Sequence, residues 1–440
     1  MRVNASKGTP FLKTQTSTSS SFPTQPSPQG PLRGLKVLEL GQLIAGPFAA
    51  KTLADFGADV VKIEAPGTGD PLRQWRLLDA QGTSYWWQVQ SRNKQSVALD
   101  LKQADGQAIV RQLALEADVL IENFRPGALE AWGLGPEVLL ALNPALVILR
   151  ISGYGQTGPY RDRPGFGVVA EAMGGLRFLT GEPGAVPVRV GVSIGDTLAG
   201  LHGVIGVLLA LQHRHSTRSD ALPKGQGQVV DVALYEAVFN CMESLLPEYS
   251  ATGTVRQPAG SSLPGIAPSN AYRCADGAYA LIAGNGDGIF QRLMGAIGRA
   301  DLADDPVLAG NAGRVQQVAR IDAAIAHYTG QHSVDAVLSA LHGAAVPAGR
   351  IYTIADIAAD PHYAARGMVQ SQTLANGAML SVPGIVPKLS ATPGGIHRPA
   401  PALGLDTDSV LEGLGLTPAQ IDGLRQRGIL SSAAGAEAPS

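Results

Sequence analysis

In VSIGDTLAG, residues 192–200, a single carboxylate, Asp196, stands in a run that otherwise holds glycine, small hydroxyls and aliphatics. Burying an unpaired carboxylate is costly, so an acid in such a run is a helix cap, the partner of a base, or a reactive group. The residues that follow, LHGVIGVLLALQHRH, are apolar and long enough for a buried helix, and Asp196 stands where that helix would begin. Local sequence therefore leaves capping and chemistry both open. Other chemical patterns are incomplete. No GxSxG elbow, HExxH pair or Cys/His cluster occurs; His213 and His215 fall in a polar stretch, and Cys241 and Cys274 read as ordinary thiols. No metal site is expected. The run GNGDG at 284–288 resembles a phosphate loop but lacks its Lys-Ser/Thr ending.

The elements that must position Asp196 are legible upstream. LKVLEL reads as a strand, GQLIAGP as a loop, FAAKTLADFG as a helix and ADVVKIEAP as a second strand, which is a βαβ unit. The alternation recurs through SVALDL, ADGQAIVRQLALEA, DVLIENF, two short helices and ALVILRISGYG. Continuous Val/Ile/Leu runs of this kind belong to strands covered on both faces, so the expectation is an α/β, Rossmann-like domain with a mostly parallel sheet. The first turn is not GxGxxG, so a nicotinamide cofactor is not supported. After Gly200 come the long apolar helix, a polar stretch, and VVDVALYEAVFNCMESLLPEYSATG as a strand and one amphipathic helix. A Pro/Gly/Ser tract at VRQPAGSSLPGIAPS marks a boundary. Beyond it NAYRCADGAYALIAG reads as a hairpin, followed by three helices, and the tail returns to short strands at AMLSV and GIVPKLS and a helical pair around TPAQIDGLRQRG. The expected division is a disordered extension at 1–30, a large domain built from 31–244 and 351–430, a smaller α+β domain at 245–350, and a disordered tail at 431–440.

Composition narrows the class. The 440 residues carry a formal net charge of −2 and 16% charged residues, so no basic face for nucleic acid or anionic membrane is implied. No uninterrupted apolar run reaches the roughly 18 residues of a membrane span, and Leu201–Leu211 reads as a core helix. Residues 1–30 are rich in Ser, Thr, Pro and Gln and lack acids. They read as a plain extension of a cytoplasmic protein, with an organelle matrix as the alternative if they form a transit peptide.

Taken together, RGLKVLELGQLIAGPFAAKTLADFGADVVKIEAPGTGDPLR, SRNKQSVALDLKQADG, ENFRPGALEAWGLG, ISGYGQTGPYRDRPGFG, EAMGGLRFLTG and VSIGDTLAGLHGVIGVLLAL resemble the family III CoA-transferases of the CaiB/BaiF type, over about residues 31–430. The resemblance implies transfer of CoA from an acyl-CoA donor to a carboxylic acid, with no permanently bound cofactor, in an interlocked homodimer. It makes Asp196 the nucleophile that forms aspartyl anhydride and thioester intermediates. It also implies CoA contacts at Gln42, Leu43 and Ala45 in the first loop, Leu99 and Lys102 in ALDLK, and Asn123, Phe124 and Arg125 in ENFRPG. The sequence departs from the formyl-CoA enzymes at Ile44, Ala65, Ala131, Phe166 and Gly167, where polar groups are replaced, so a larger or less polar acyl partner is expected. Related α-methylacyl-CoA racemases use a GHD motif where this chain has Gly165-Phe166-Gly167, and phenylalanine exchanges no proton. Racemase chemistry is therefore the alternative, together with a non-catalytic acyl-CoA-binding subunit of a heteromeric transferase.

Overall fold

The computed structural model describes residues 30–431, so the expected extension and tail lie outside the described residues except for Gly30 and Ser431. The chain forms two compact units. The first takes the described residues up to Glu171, Ser193–Cys241 and those from Gln370 onward; the second takes Ala172–Val192 and Met242–Val369. The second unit thus runs past 350, where the sequence pattern set a boundary. Residues beyond 350 are tied to it by local chemistry: the Tyr352 hydroxyl donates to Asp360 Oδ2 at 2.7 Å, and the Tyr352 and Tyr363 rings lie 6.5 Å apart.

The first unit is built on β1 (Lys36–Glu39), α1 (Ala45–Asp55), β2 (Asp59–Glu64), α2 (Tyr85–Gln90), β3 (Lys94–Ala98), α3 (Ala104–Glu116), β4 (Val119–Glu122), α4 (Ala128–Ala131), α5 (Pro136–Leu142), β5 (Val147–Ser152) and α6 (Gly167–Met173). After α7 (Leu176–Leu179), which belongs to the second unit, it resumes with α8 (Ile194–Ser216), β6 (Val229–Ala233) and α9 (Leu234–Phe239). The strands lie in the order β3-β2-β1-β4-β5-β6 and every neighbouring pair is parallel. The fold is α/β, with one parallel sheet and smaller antiparallel sheets elsewhere. β3 and β5 are buried along their whole length, β5 with a mostly aliphatic sequence and β3 with Lys94, Gln95 and Ser96 taken into the interior. One face of the sheet is covered by α3, α5 and the helices Thr407–Gly413 and Pro418–Gln426, the other by α1, α8 and α9. The outer side of β3 is also occupied, since Ser96 N–H donates to Asp406 Oδ2 and Leu99 bridges Leu430.

The order of the strands fixes where a ligand site can form. β1 leads through α1 to β2 on one side, while β4 lies on its other side, so the chain changes direction between β1 and β4. In open parallel sheets the loops leaving the carboxyl ends at such a switch point enclose a crevice. Here those loops are 40–44 and 123–127.

Three local expectations change. α8 is less buried than a core helix: only 33% of its apolar window is inside, and Leu201, Ile205, Leu208 and Leu209 are exposed. It is also, among the described residues, the one helix long and apolar enough by length and composition to cross a membrane. Its buried side is set by glycines, because a Cβ at Gly200 would lie 2.8 Å from the Phe48 ring and one at Gly203 2.8 Å from Leu149. The single helix expected after β6 is divided at Glu243, which has φ +50°, into α9 and Leu245–Thr252. GIVPKLS is irregular; the strands there are Val369–Thr373 and Met379–Pro383, and Pro383 and Pro387 lack the N–H a continuing ladder needs.

In the second unit Ser269–Arg273, Tyr279–Ala283 and Ala348–Arg350 form an antiparallel sheet, the first two joined by the expected Asp-Gly turn. Helices Asp287–Ala296, Val318–Thr329 and Val334–Gly343 pack their apolar faces on it. The GNGDG run enters the first of these, but Arg314, buried and bonded to Asn285 O and Asp287 Oδ1 at 2.7 Å each, occupies the turn. This turn is held by structure and shows no phosphate cradle.

Candidate active site

Asp196 lies in the first turn of α8, with Ser193 as the N-cap. The Ser193 side chain makes no cap bond, and an acid in a first helical turn is favoured by the helix dipole. The carboxylate is half-buried and packs on the backbone of Gly167, the first residue of α6: a Cβ built at 167 would stand 2.0 Å from Asp196 Oδ2 and 2.8 Å from Cγ. Gly195 meets the same residue from the other side, since its Cβ would come 3.1 Å from Gly167 O. Phe166 projects beside them with 62% of its surface exposed. The carboxylate is therefore seated on the backbone where α6 begins.

The loop after β1 is held by side chains. Gln42 N–H donates to Asn123 Oδ1 at 2.7 Å and Asn123 Nδ2 donates to Gln42 O at 2.8 Å, which ties the two loops of the switch point together. Leu43 sits at φ +64°, in left-handed backbone that costs a leucine about 1 kcal/mol or more. Its N–H is caught by Asp70 Oδ1 at 3.0 Å. Below the loop lies a buried ionic network. Lys62 Nζ reaches Glu39 Oε1 and Asp70 Oδ2 at 2.9 Å each and donates to Gly41 O at 2.6 Å; Lys94 Nζ reaches Glu39 Oε2 at 2.8 Å and Pro47 O at 2.9 Å.

The titration of these groups follows from that geometry. Burial works against the Lys62 charge, but Asp70 and Glu39 beside it outweigh burial and hold its pKa above the usual lysine range. Asp70 is held below the usual carboxylate range: Lys62 and the Leu72 and Leu43 N–H groups overcome the opposing effect of burial. Burial pushes Lys94 down to about 8, with Glu39 opposing and Lys62 adding to the fall. Glu64, next in the layer, is lowered as Arg73 binds both of its oxygens at 2.7 Å against the effect of burial.

The other residues named from sequence fall into different roles. Ala45 is buried at the start of α1. Leu99 has no exposed surface and belongs to the core under α3, so its side chain is unavailable to a ligand; the accessible part of ALDLK is the turn at Lys102, whose N–H donates to Asp100 Oδ1. Phe124 packs edge-on against Trp132 at 5.1 Å and its N–H donates to Glu122 Oε2 at 2.8 Å. Glu122 is in turn bound by Arg150 at 2.6 Å across β4 and β5. Arg125 is exposed at the tip of that loop. The structure thus brings Gln42, Leu43 and Asn123 into one assembly, leaves Lys102 and Arg125 exposed, and buries the Leu99 side chain in the core.

Sequence reasoning passed over Glu39, Lys62, Asp70 and Lys94, and the seat provided by Gly167. A signal existed for the ions: Lys62 and Glu64 stand inside VVKIE, a strand that is otherwise aliphatic, where an isolated charge requires a partner. Which partners close the set depends on strand order and was not visible. Among the described residues no group of three or more His, Cys, Asp or Glu is placed to hold a metal ion.

Comparison with known proteins adds the chemistry. The sequence profile of CoA-transferase family III matches residues 32–407. The chain is 46% identical over 391 residues to succinyl-CoA--D-citramalate CoA-transferase of Chloroflexus aurantiacus, covering 89% of this chain and 96% of that protein. It is 41% identical over 404 residues to the beta subunit of succinyl-CoA--L-malate CoA-transferase from the same organism, covering 91% and 98%. The crystal structure of a CAIB/BAIF family protein from Brucella suis superposes with a TM-score of 0.76 at 36% identity, over 88% of this chain and all (100%) of that one.

Proposed function

The chain belongs to CoA-transferase family III and is an enzyme of that activity; we propose that it moves CoA from succinyl-CoA to a four- or five-carbon dicarboxylic acid, with Asp196 as nucleophile. The observation that carries this reading is the seat of Asp196: a half-buried carboxylate in the first turn of a helix, packed on the glycine backbone of Gly167. The acid is drawn from the relatives, whose names carry succinyl-CoA with citramalate or malate.

The chemistry balances without a resident cofactor. The Asp196 carboxylate attacks the thioester carbonyl, the C–S bond breaks, and a mixed anhydride and CoA thiolate result. Thiolate attack on the aspartyl carbonyl of the anhydride releases the donor acid and leaves CoA on Asp196 as a thioester. The acceptor carboxylate attacks that thioester, the C–S bond breaks to give a second anhydride and CoA thiolate, and thiolate attack on the acceptor carbonyl forms the acceptor's CoA ester and regenerates the Asp196 carboxylate. Close backbone at Gly167 and Gly195 leaves room for the carbonyl to approach. The strapped loop at Gln42 and Leu43, with Ala45 behind it and with Asn123, Phe124, Lys102 and Arg125, forms the proposed CoA-binding face. Asn123 serves by holding Gln42, and the two exposed cations are suited to phosphate.

We propose a homodimer as the working form. Leu201, Ile205, Leu208 and Leu209 recur at helical spacing on the exposed side of α8, an apolar stripe that a second copy would cover. Purified protein given succinyl-CoA and a panel of acids, with the products read by mass spectrometry, tests the reading. The expected result is a new CoA ester of D-citramalate or L-malate; no CoA exchange, with deuterium entering the α-carbon of a 2-methylacyl-CoA, selects the racemase. Activity only after addition of a second, different subunit selects the heteromeric alternative.

A further inference from the structure

Beyond leaving room for the thioester, Gly167 lies against the carboxylate itself, and its backbone does not require glycine. Many glycines in this chain have left-handed φ and are explained by it; Gly167 is not among them. Gly69 and Gly260 also bring a prospective Cβ to 3.0 and 2.5 Å from a carboxylate oxygen, of Glu64 and Glu182, but both have positive φ, +66° and +62°. At Gly167 the constraint is the nucleophile itself: the Cβ position lies 2.0 Å from Asp196 Oδ2 and 2.8 Å from Cγ. A side chain at 167 and the carboxylate in its present place exclude each other. The opposing atom is the far end of a rotatable side chain, so the fold can accept a methyl group if Asp196 swings away. Gly200, Gly203 and Gly206 on the same helix differ, because their prospective Cβ atoms meet Phe48, Leu149 and Val230 and concern packing alone.

We propose that Gly167 is a positioning residue for the reaction: the missing side chain at the start of α6 is the floor on which the Asp196 carboxylate rests, and it fixes the direction from which the carboxylate meets the thioester. The proposal rests on Asp196 being the nucleophile. A shift of about 1 Å in a reacting group lowers rate by roughly 100-fold. Gly167→Ala is therefore expected to lower kcat for CoA transfer from succinyl-CoA to D-citramalate about 100-fold, with KM for succinyl-CoA within about threefold, because the CoA-binding loops are untouched. Gly195→Ala, whose Cβ meets Gly167 O at 3.1 Å and not the carboxylate, is expected to cost much less. Equal losses in both variants, or kcat near wild type in Gly167→Ala, overturn the proposal.

A crystal structure of Gly167→Ala gives a readout independent of activity: the Asp196 carboxylate is expected to have rotated off residue 167, and a carboxylate still in its place refutes the proposal even if the wild type transfers no CoA. Should Gly167→Ala fail to fold, Gly167→Ala/Asp196→Ala is expected to recover folding, because the clash is with the carboxylate. Continued misfolding of the double variant counts against it.

Discussion

The loop after β1 and the first turn of α8 both serve the proposed site, and they are held by opposite means. The loop is tied by charged and amide side chains: Lys62, Asp70 and Asn123 each grip its backbone, Lys94 holds Pro47 O in α1 just beyond it, and the ions among them are buried. On its Gly167 side the α8 turn is held by shape, through the absence of side chains. The difference suits the tasks. A loop in strained backbone needs strong ties to stay in one conformation, whereas the Asp196 carboxylate is confined on one side by the backbone it packs on. Substitutions should therefore separate the two regions, chemistry failing in one and stability in the other.

The largest effect is expected at Asp196. Asp196→Asn should lower transfer by roughly 10⁴-fold or more, as loss of a covalent nucleophile does, while the unfolding free energy from urea titration stays within about 1 kcal/mol of wild type. Near-normal turnover in that variant would leave Asp196 as a helix-end acid and dissolve the contrast. Next in size is Lys62→Met, which takes the buried Asp70 carboxylate's lysine partner away and leaves Glu39 with Lys94, and should cost about 3–5 kcal/mol of unfolding free energy. Asn123→Ala should cost about 1–3 kcal/mol by leaving Gln42 N–H unsatisfied, and it should raise KM for succinyl-CoA more than it lowers kcat. A fall confined to kcat would move Asn123 to the chemical step.

Lys94 sharpens the comparison through pH. Its folded pKa, pushed down to about 8, lies below the unfolded value of about 10.4. Between these values the unfolded chain binds more protons, so the Lys94 contribution to stability rises with pH, by about 1 kcal/mol from pH 8 to 9. Lys62 has the opposite sign: its raised pKa gives stability that is present below the unfolded value and lost only at higher pH. Urea unfolding from pH 8 to 10 should show a rising arm for wild type, and the difference between wild type and Lys94→Met should change over that window. A pH-independent difference would mean that Lys94 titrates as an ordinary lysine. The smallest effect is expected at Lys102, where an exposed contact is worth about 1 kcal/mol at most, so Lys102→Ala should raise KM for succinyl-CoA by no more than about fivefold.

Much of this was readable from sequence because it depends on local pattern. The alternation from Val37 to Ser152 specifies parallel strands and covering helices, and the lone carboxylate at 196 stands out against its neighbours. Other features depend on residues far apart in the chain. The resemblance puts Leu99 of ALDLK among the CoA contacts, but its side chain lies in a core that also takes Leu430, more than three hundred positions away. α8 reads as a core helix from its apolar content, which carries no information on how many of its faces find a neighbour within one chain. Phe124 and Asn123 are adjacent and look alike in role, yet one packs on Trp132 and the other bonds across the switch point.

The sequence by itself determined the α/β class, the family and the identity of the conspicuous acid, because periodicity, motif order and the cost of a lone charge are properties of residues near one another in the chain. Only the tertiary structure decided that Lys62 and Lys94 share Glu39 beneath the first loop, and that Gly167 is the surface on which Asp196 rests. Those contacts arise where β1, β2 and β3 lie side by side and where α6 meets α8. Such meetings are set by the packing of whole elements, and no local pattern encodes them.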